Sequence, residues 1–313
     1  MVKTLIKPLK KVFSFPGSIL LIPMMISAIV NSFFKDIILI GEPINSIFNG
    51  TGVMTLLFIM LFVSGLQLQL KNVKSLLKES FVLIILRVLI VIIIYYIYLH
   101  YFSVEGIFNI YAFTLMIALC STNPGLFIAL VGQYGRKESL SLFGPFNILP
   151  LPVIPIAIYS LASNTSFSFN SLLPIFIPFI LGVLVGNYLP EIKAKFTNFN
   201  LIILFFWGFG IGSKINLSII VNDLLTGVIL TLMYYLLILI PMIFLERKLL
   251  KSDGLLAISS CSVAAIALII PNMLNMTNIS ATIIESSVNQ LAIAVILTSL
   301  ISPLLAKTLK RSH

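Results

Sequence analysis

The chain has 313 residues, of which 59% are hydrophobic and only 10% are charged, and its mean hydropathy is +1.13. Soluble domains carry about 25% charged residues, so this composition excludes a soluble domain of any size and indicates an integral membrane protein. The net charge of +10 does not predict a nucleic-acid partner here, because basic residues of a membrane protein first report its topology.

Apolar stretches long enough to cross a bilayer, about 20 residues each, follow one another along the whole chain with short loops between them. The first follows four lysines, as in a signal sequence, but no small-residue cleavage site is evident, so we interpret it as a retained span. The ten predicted spans are 16–34, 47–67, 80–99, 107–132, 139–162, 171–188, 198–213, 222–245, 254–272 and 282–305.

The basic residues are distributed unevenly between the predicted loops. If the N-terminus is cytoplasmic, 17 of the 20 lysines and arginines lie in cytoplasmic segments, and the exceptions are Lys35, Lys214 and Arg87. The positive-inside rule predicts such a bias, and missing a single span would scramble it. The charges therefore favour ten spans with both termini in the cytoplasm.

Segments of the two halves resemble each other. "FIMLFVSGLQLQLKNV" and "LFFWGFGIGSKINLSII" align when Gly65 is placed on Gly212, and the first and sixth spans are both rich in proline. Five spans per half predict an inverted repeat of residues 1–165 and 166–313, which is typical of secondary transporters. The alternative is a chance likeness between apolar helices.

The fourth span contains a polar interruption, "CSTNPGLFIALVGQYG". Asn123 suits a helix N-cap and Pro124 suits the first helical position, so the helix should end near Cys120 and restart at Pro124. The free N–H groups of the restarted helix would favour an anion. The alternative is a proline kink whose hydroxyl groups are satisfied locally.

The ninth and fifth spans contain weaker signals. "AISSCSVAAIALIIPN" predicts a break between Ser259 and Ala265, although small residues also serve close helix packing. In the fifth span, Asn147 stands among four prolines and either lines a cavity or supports a loosened backbone. The predicted substrate-binding residues are Ser121, Thr122, Asn123, Gly125, Asn147, Ser260 and Ser262.

Two ionisable residues lie within predicted spans. Snorkelling explains Arg87 at least as well as a functional role does. Glu285 begins a polar stripe with Asn289 and Gln290, and these three residues are candidates for coupling to H+ or Na+. The alternative is an idle carboxylate at the wet outer rim, and no other cofactor is expected.

Several segments are similar to the 2-keto-3-deoxygluconate permeases, and the most specific is Thr-Asn-x-Gly-Leu followed by Gln-Tyr-Gly. The chain departs from the family pattern in lacking an acidic residue before that motif, at Cys120 or Ser121, and a glutamate near Asn147. The similar segments are "FPGSILLIPMMISAIVNSFF", "FNGTGVMTLLFIMLFVSGLQLQL", "TNPGLFIALVGQYGRKE", "LPIFIPFILGVLVGNYLPEIK" and "AVILTSLISPLL".

The resemblance implies an all-α polytopic protein of ten transmembrane helices, with helices four and nine broken and crossing. The resemblance also implies a place in the wider superfamily of bile-acid symporters and auxin-type carriers. The expected activity is proton symport of a sugar-derived keto acid into the cell across the bacterial cytoplasmic membrane, by alternating access. Spans three to five and eight to ten (a core) would move against spans one, two, six and seven (a panel).

Other functions stay open at this point. They are a sodium-coupled organic-anion transporter with another substrate and a channel or uniporter. No histidine lies within a predicted span and no catalytic spacing is found, which argues against an intramembrane enzyme. The expected partners are a small organic anion and membrane lipid, without nucleic acid, and a homodimer is left open.

Overall fold

The computed structural model describes residues 18–34, 40–48, 50–68, 73–135, 149, 151–162, 169–196, 199–213, 215, 217, 221–274 and 279–311. These residues form helices joined by turns, and no strand occurs among them beyond an isolated bridge between Ile107 and Ile110. Within these described residues, four helical segments are long and apolar enough to cross a membrane. They are Val82–Phe102, Leu224–Leu250, Leu255–Met273 and Ala281–Leu309. The protein is therefore a helical membrane protein, as its composition predicts.

Every predicted span contains helix within the part of the chain that is described. Leu224–Leu250 (α11) includes two π-helical turns, and a 3-10 turn, Ala265–Ile269, precedes the short α13. The other helices are α1 (Ser18–Phe33), α2 (Ile44–Phe48), α3 (Gly50–Gln67), α4 (Val73–Phe102), α5 (Ala112–Cys120), α6 (Pro124–Tyr134), α7 (Val153–Ala162), α8 (Phe169–Tyr188), α9 (Pro190–Lys195), α10 (Phe199–Gly212), α12 (Leu255–Ser260), α13 (Ile270–Met273) and α14 (Ala281–Arg311).

The helices pack most extensively within two groups. In the first, which we call the panel group, α8 packs on α3, and α10 packs on both α1 and α3. In the second, the core group, α11 packs on α14, α4 on α5, and α12 on α6. Helix α10 also contacts the 3-10 turn, which connects the two groups.

Glycines allow the panel helices to approach one another closely. A Cβ atom added at Gly65 of α3 would lie 2.1 Å from the backbone oxygen of Phe179. One added at Gly212 of α10 would lie 2.1 Å from the backbone oxygen of Met24. Small residues at such positions let membrane helices gain backbone contact, which is a main source of their association in lipid.

The same set of contacts occurs twice in the panel group. The N–H of Leu68 donates to the oxygen of Gly65 at 3.0 Å, and that of Ile215 donates to the oxygen of Gly212 at 3.0 Å. Nδ2 of Asn187 donates to the oxygen of Leu68 at 2.8 Å, and Nδ2 of Asn31 donates to that of Ile215 at 3.0 Å. Placing Gly65 on Gly212 also places Leu68 on Ile215. The contact between α3 and α8 thus resembles the contact between α10 and α1.

The core group shelters its irregular backbone from lipid. Outward-facing side chains of α4, such as Leu89 and Ile93, are about half exposed, which suits a lipid-facing surface. The segment Leu255–Met273, by contrast, is almost entirely buried. Non-helical backbone is tolerated at membrane depth only where protein or a cavity surrounds it, so this burial makes an interruption feasible there.

Candidate functional site

The fourth span is interrupted where the sequence predicts it. Helix α5 ends at Cys120, Ser121 is extended with φ −75° and ψ 139°, and α6 begins at Pro124. Oδ1 of Asn123 accepts a hydrogen bond from the N–H of Leu126 at 3.2 Å, so Asn123 is the N-cap, as the sequence predicts. The cap satisfies one of the donors that a helix start leaves free.

The ninth span is interrupted as well, between the predicted limits of Ser259 and Ala265. Helix α12 ends at Ser260, and the chain restarts at Ala265 as a 3-10 turn without a side-chain cap from its preceding residue. Instead, the N–H of Ala264 donates to Oγ of Ser121 at 2.8 Å. The N–H of Val263 donates to Oγ1 of Thr298 at 2.9 Å. The two interruptions therefore meet, because Ser121 of one binds the restart of the other.

The guanidinium of Arg87 lies where the first halves of both broken helices end. Its Nη2 donates to the backbone oxygens of Leu119 at 3.1 Å and Ser121 at 2.6 Å. Its Nη1 donates to the backbone oxygen of Ser260 at 3.1 Å, and Nε donates to Leu119 at 3.3 Å. These carbonyls are ones that helix ends leave unpaired, and they carry the negative end of the helix dipole.

Arg87 does not snorkel to the membrane surface, since its side chain is 0% exposed. Nη2 also donates to the hydroxyl of Tyr234 at 3.0 Å, and that hydroxyl donates to the oxygen of Ser121 at 3.1 Å. Sγ of Cys261 lies 3.7 Å from Nη1. Among the described residues no carboxylate lies within 4.0 Å of the guanidinium. Within the described part of the chain, the groups that contact the guanidinium are therefore backbone carbonyls, a hydroxyl and a thiol.

The structure brings together five of the predicted substrate-binding side chains. Ser121, Thr122 and Asn123 are buried at the first break, and Ser260 and Ser262 are buried at the second. Gly125 lies in the first turn of α6, and Asn147 lies outside the described residues.

The hydroxyls at the second break differ in their partners. Oγ of Ser260 donates to the oxygen of Ala257 at 3.0 Å. The buried Oγ of Ser262 has no hydrogen-bond partner in the described part of the chain, and the same holds for Ser259 and Ser299. An unpaired buried hydroxyl costs free energy, so these groups are candidates to bind a ligand or water.

A second polar cluster lies near the start of α14. The carboxylate of Asp223 accepts hydrogen bonds from Oγ of Ser286 at 2.5 Å and from Nδ2 of Asn289 at 2.9 Å. Nε2 of Gln290 donates to Oγ of Ser286 at 3.2 Å and to the oxygen of Asn109 at 3.0 Å. Oε1 of Gln290 is buried without a partner among the described residues.

This cluster, which we call the outer cluster, contains two of the three predicted coupling residues. Asn289 and Gln290 lie in it, whereas Glu285 is exposed and its carboxylate has no hydrogen bond to any described residue. The carboxylate beside Asn289 is that of Asp223. Sequence reasoning missed Asp223 because it lies at the edge of a span, where an acidic residue is unremarkable.

Sequence reasoning also missed the role of Arg87 and its partner Tyr234. The signal for Arg87 was present, since a lone arginine within an apolar run of this length is costly in lipid. Nothing in the sequence distinguishes Tyr234 from the other tyrosines.

Interrupted helices that meet inside a shell of apolar helices are typical of membrane transport proteins. Comparison with known proteins agrees with that class. A sequence model of the 2-keto-3-deoxygluconate permeases matches residues 9–313, and the chain belongs to this family. It is therefore a transport protein and not an enzyme.

Individual relatives cover most of the chain. The 2-keto-3-deoxygluconate permease of Pectobacterium atrosepticum is 27% identical over 263 residues, which are 82% of each protein. The permease of the same name from Escherichia coli O7:K1 is 24% identical over 304 residues, or 95% of this chain and 92% of the relative. The likeness therefore includes both broken helices.

Proposed function

We propose that this protein imports 2-keto-3-deoxygluconate, or a related sugar acid, across the bacterial cytoplasmic membrane and that a proton gradient drives the import. The names of its relatives support the substrate class. The observation that carries the proposal is the crossing itself, where Arg87 is buried without a carboxylate partner among the described residues. A buried positive charge whose direct contacts are neutral groups favours a nearby anion.

The first break supplies further groups that suit an acid of this kind. Helix α6 has 11 residues, and its start presents the positive end of the helix dipole. In this proposal Ser121, Thr122, Asn123 and Gly125 bind the substrate from one side, and Ser260, Ser262 and Asn147 bind it from others. The unpaired hydroxyl of Ser262 suits a hydroxyl of the sugar chain.

Transport by alternating access follows if the core group moves against the panel group. We propose ten crossings, with both termini in the cytoplasm and with residues 1–165 and 166–313 as inverted halves. The twofold occurrence of the Gly65 and Gly212 contacts supports the repeat, and the loop charges support the orientation. The close backbone contacts of the panel group suit a unit that stays rigid.

The proton would bind at the outer cluster, where Asn289 and Gln290 keep their predicted coupling role. Its carboxylate is either Glu285 at the exposed edge or Asp223 inside the cluster. The carboxylate of Asp223 accepts hydrogen bonds from Ser286 and Asn289. Protonation would rearrange these bonds on α14, which packs on α11 in the core group.

Uptake into proteoliposomes tests the proposed function. We expect an inward proton gradient to raise the uptake of labelled 2-keto-3-deoxygluconate and a protonophore to abolish the increase, with no response to a sodium gradient. Uptake that follows sodium would favour a sodium-coupled carrier. Uptake that neither gradient changes would contradict symport and indicate a uniporter.

Neutral variants of the two carboxylates locate the coupling group. We expect Asp223→Asn to flatten the pH dependence of uptake and Glu285→Gln to change it less, because the Glu285 side chain is exposed. Both variants keep the side-chain shape. Unchanged pH profiles in both would remove the outer cluster from the coupling mechanism.

A further inference from the structure

The surroundings of Arg87 are those of a cation site. Three backbone oxygens, of Leu119, Ser121 and Ser260, and the hydroxyl of Tyr234 all lie within 3.1 Å of a guanidinium nitrogen. The oxygens come from the ends of both interrupted helices. Helix ends and unwound carbonyls of this kind coordinate the driving cation in transporters that have discontinuous helices.

In this chain a side chain already occupies that position. Arg87 is fully buried, and its contacts extend to both breaks at once. An arginine guanidinium stays protonated at any physiological pH, so the charge is permanent. The carbonyl dipoles are thus neutralised without an ion from solution.

We infer that Arg87 is a tethered cation that takes the place of a free coupling cation between the two broken helices. It keeps the crossing assembled and positively charged whether or not sodium is present. The inference rests on the proposed function in one respect, namely that the substrate is an anion bound at the crossing. It assigns any ion coupling to groups away from the crossing.

The inference predicts a gain of cation dependence when the side chain is removed. Arg87→Ala leaves the carbonyl oxygens unpaired and leaves space beside them, so a small cation should bind there. Arg87→Met removes the charge but fills the space. Arg87→Lys keeps a tethered charge. Arg247→Ala, at an exposed arginine that donates to the oxygen of Asp253, is the control for loss of an arginine elsewhere.

Binding of labelled 2-keto-3-deoxygluconate to the purified full-length protein is measured in choline, sodium and guanidinium chloride. We expect the wild type and Arg247→Ala to bind equally in all three salts, and we expect the affinity of Arg87→Lys, whatever its level, to be independent of the salt. Arg87→Ala should bind about tenfold more weakly in choline, the loss of at least one charge-assisted interaction. Sodium or guanidinium should restore its binding. Arg87→Met should be weak in every salt.

Three results would overturn the inference. They are a wild type that requires sodium for binding, an Arg87→Ala variant that binds normally in choline, and an Arg87→Ala variant that no cation restores. If Arg87→Ala does not fold, Arg87→Lys is the deciding variant. Substrate binding by Arg87→Lys that requires sodium would contradict a tethered charge, and binding that does not require sodium would support it.

Thermal unfolding without substrate separates this inference from the proposed function. Sodium or guanidinium should raise the Tm of Arg87→Ala but not that of the wild type or Arg87→Met. A wild type that binds no sugar acid would refute the proposed function alone. An unfolding temperature of Arg87→Ala that is the same in all three salts would refute the tethered cation alone.

Discussion

The two interruptions at the crossing are stabilised in different ways. The first is capped by a neighbouring residue, since Oδ1 of Asn123 accepts a hydrogen bond from the N–H of Leu126, three residues later. The chain then continues as the α-helix α6. The second resumes as a 3-10 turn and relies on distant residues. Oγ of Ser121, 143 positions away, accepts from Ala264, and Thr298, 35 positions away, accepts from Val263.

This difference means that the two breaks depend on each other unequally. The first holds its shape through a local cap and lends Ser121 to the second. The second lends its helix end, at Ser260, to the guanidinium of Arg87. A change at the first break should therefore affect both breaks, whereas a change at Thr298 should affect mainly the second break.

The largest effect is expected at the local cap. Asn123→Ala removes the acceptor for Leu126 and a predicted substrate ligand, so uptake should be abolished. Losing the cap costs about 1 kcal/mol of stability, which should leave the protein inserted in the membrane. Uptake and membrane content are measured together.

Asn187→Ala, which loses side-chain hydrogen bonds in the panel group, is the control and should keep its substrate affinity. Wild-type affinity in Asn123→Ala would contradict the site.

An intermediate effect is expected at the shared hydroxyls. Ser121→Ala and Thr298→Val each leave a buried N–H unpaired, which costs about 1–3 kcal/mol. Both should lower the Tm, but Ser121→Ala should also weaken substrate binding because its residue lies at the first break.

The double variant Ser121→Ala/Thr298→Val tests whether the two hydroxyls stabilise the same segment, which is the restart of the ninth span. The double variant should depart from additivity, since both hydroxyls hold the same short segment. Thr308→Val, at an exposed position late in α14, serves as the control. Strictly additive losses would show that the second break is not a single unit.

The smallest effect on binding is expected in the panel group, away from either break. Gly65→Ala and Gly212→Ala each place a Cβ 2.1 Å from a backbone oxygen, so two helices must separate. Each should cost about 1–3 kcal/mol of stability and leave substrate affinity unchanged. Similar losses in the two variants would support the repeat, and a loss in only one would contradict it. Ile202→Ala, exposed on α10, is the control.

The sequence predicts what is encoded locally. Asn123 and Pro124, two adjacent residues, predict the first break. The alignment of Gly65 on Gly212 pairs two glycines that both lie at close backbone contacts in the panel group. The second break is less clear in the sequence because its caps, Ser121 and Thr298, are distant. The sequence does not predict the environment of Arg87, because most of the groups that accept hydrogen bonds from its guanidinium are backbone carbonyls, which every residue has.

The unequal capping also sets an order for biosynthesis. The first interruption finds its cap within its own span, so it is able to form as soon as that span enters the bilayer. Val263 has to wait for Thr298, which lies 35 residues further along the chain. The ninth span thus acquires its final shape only after α14 has been synthesised, and a truncated chain that ends before α14 would leave that segment without these partners.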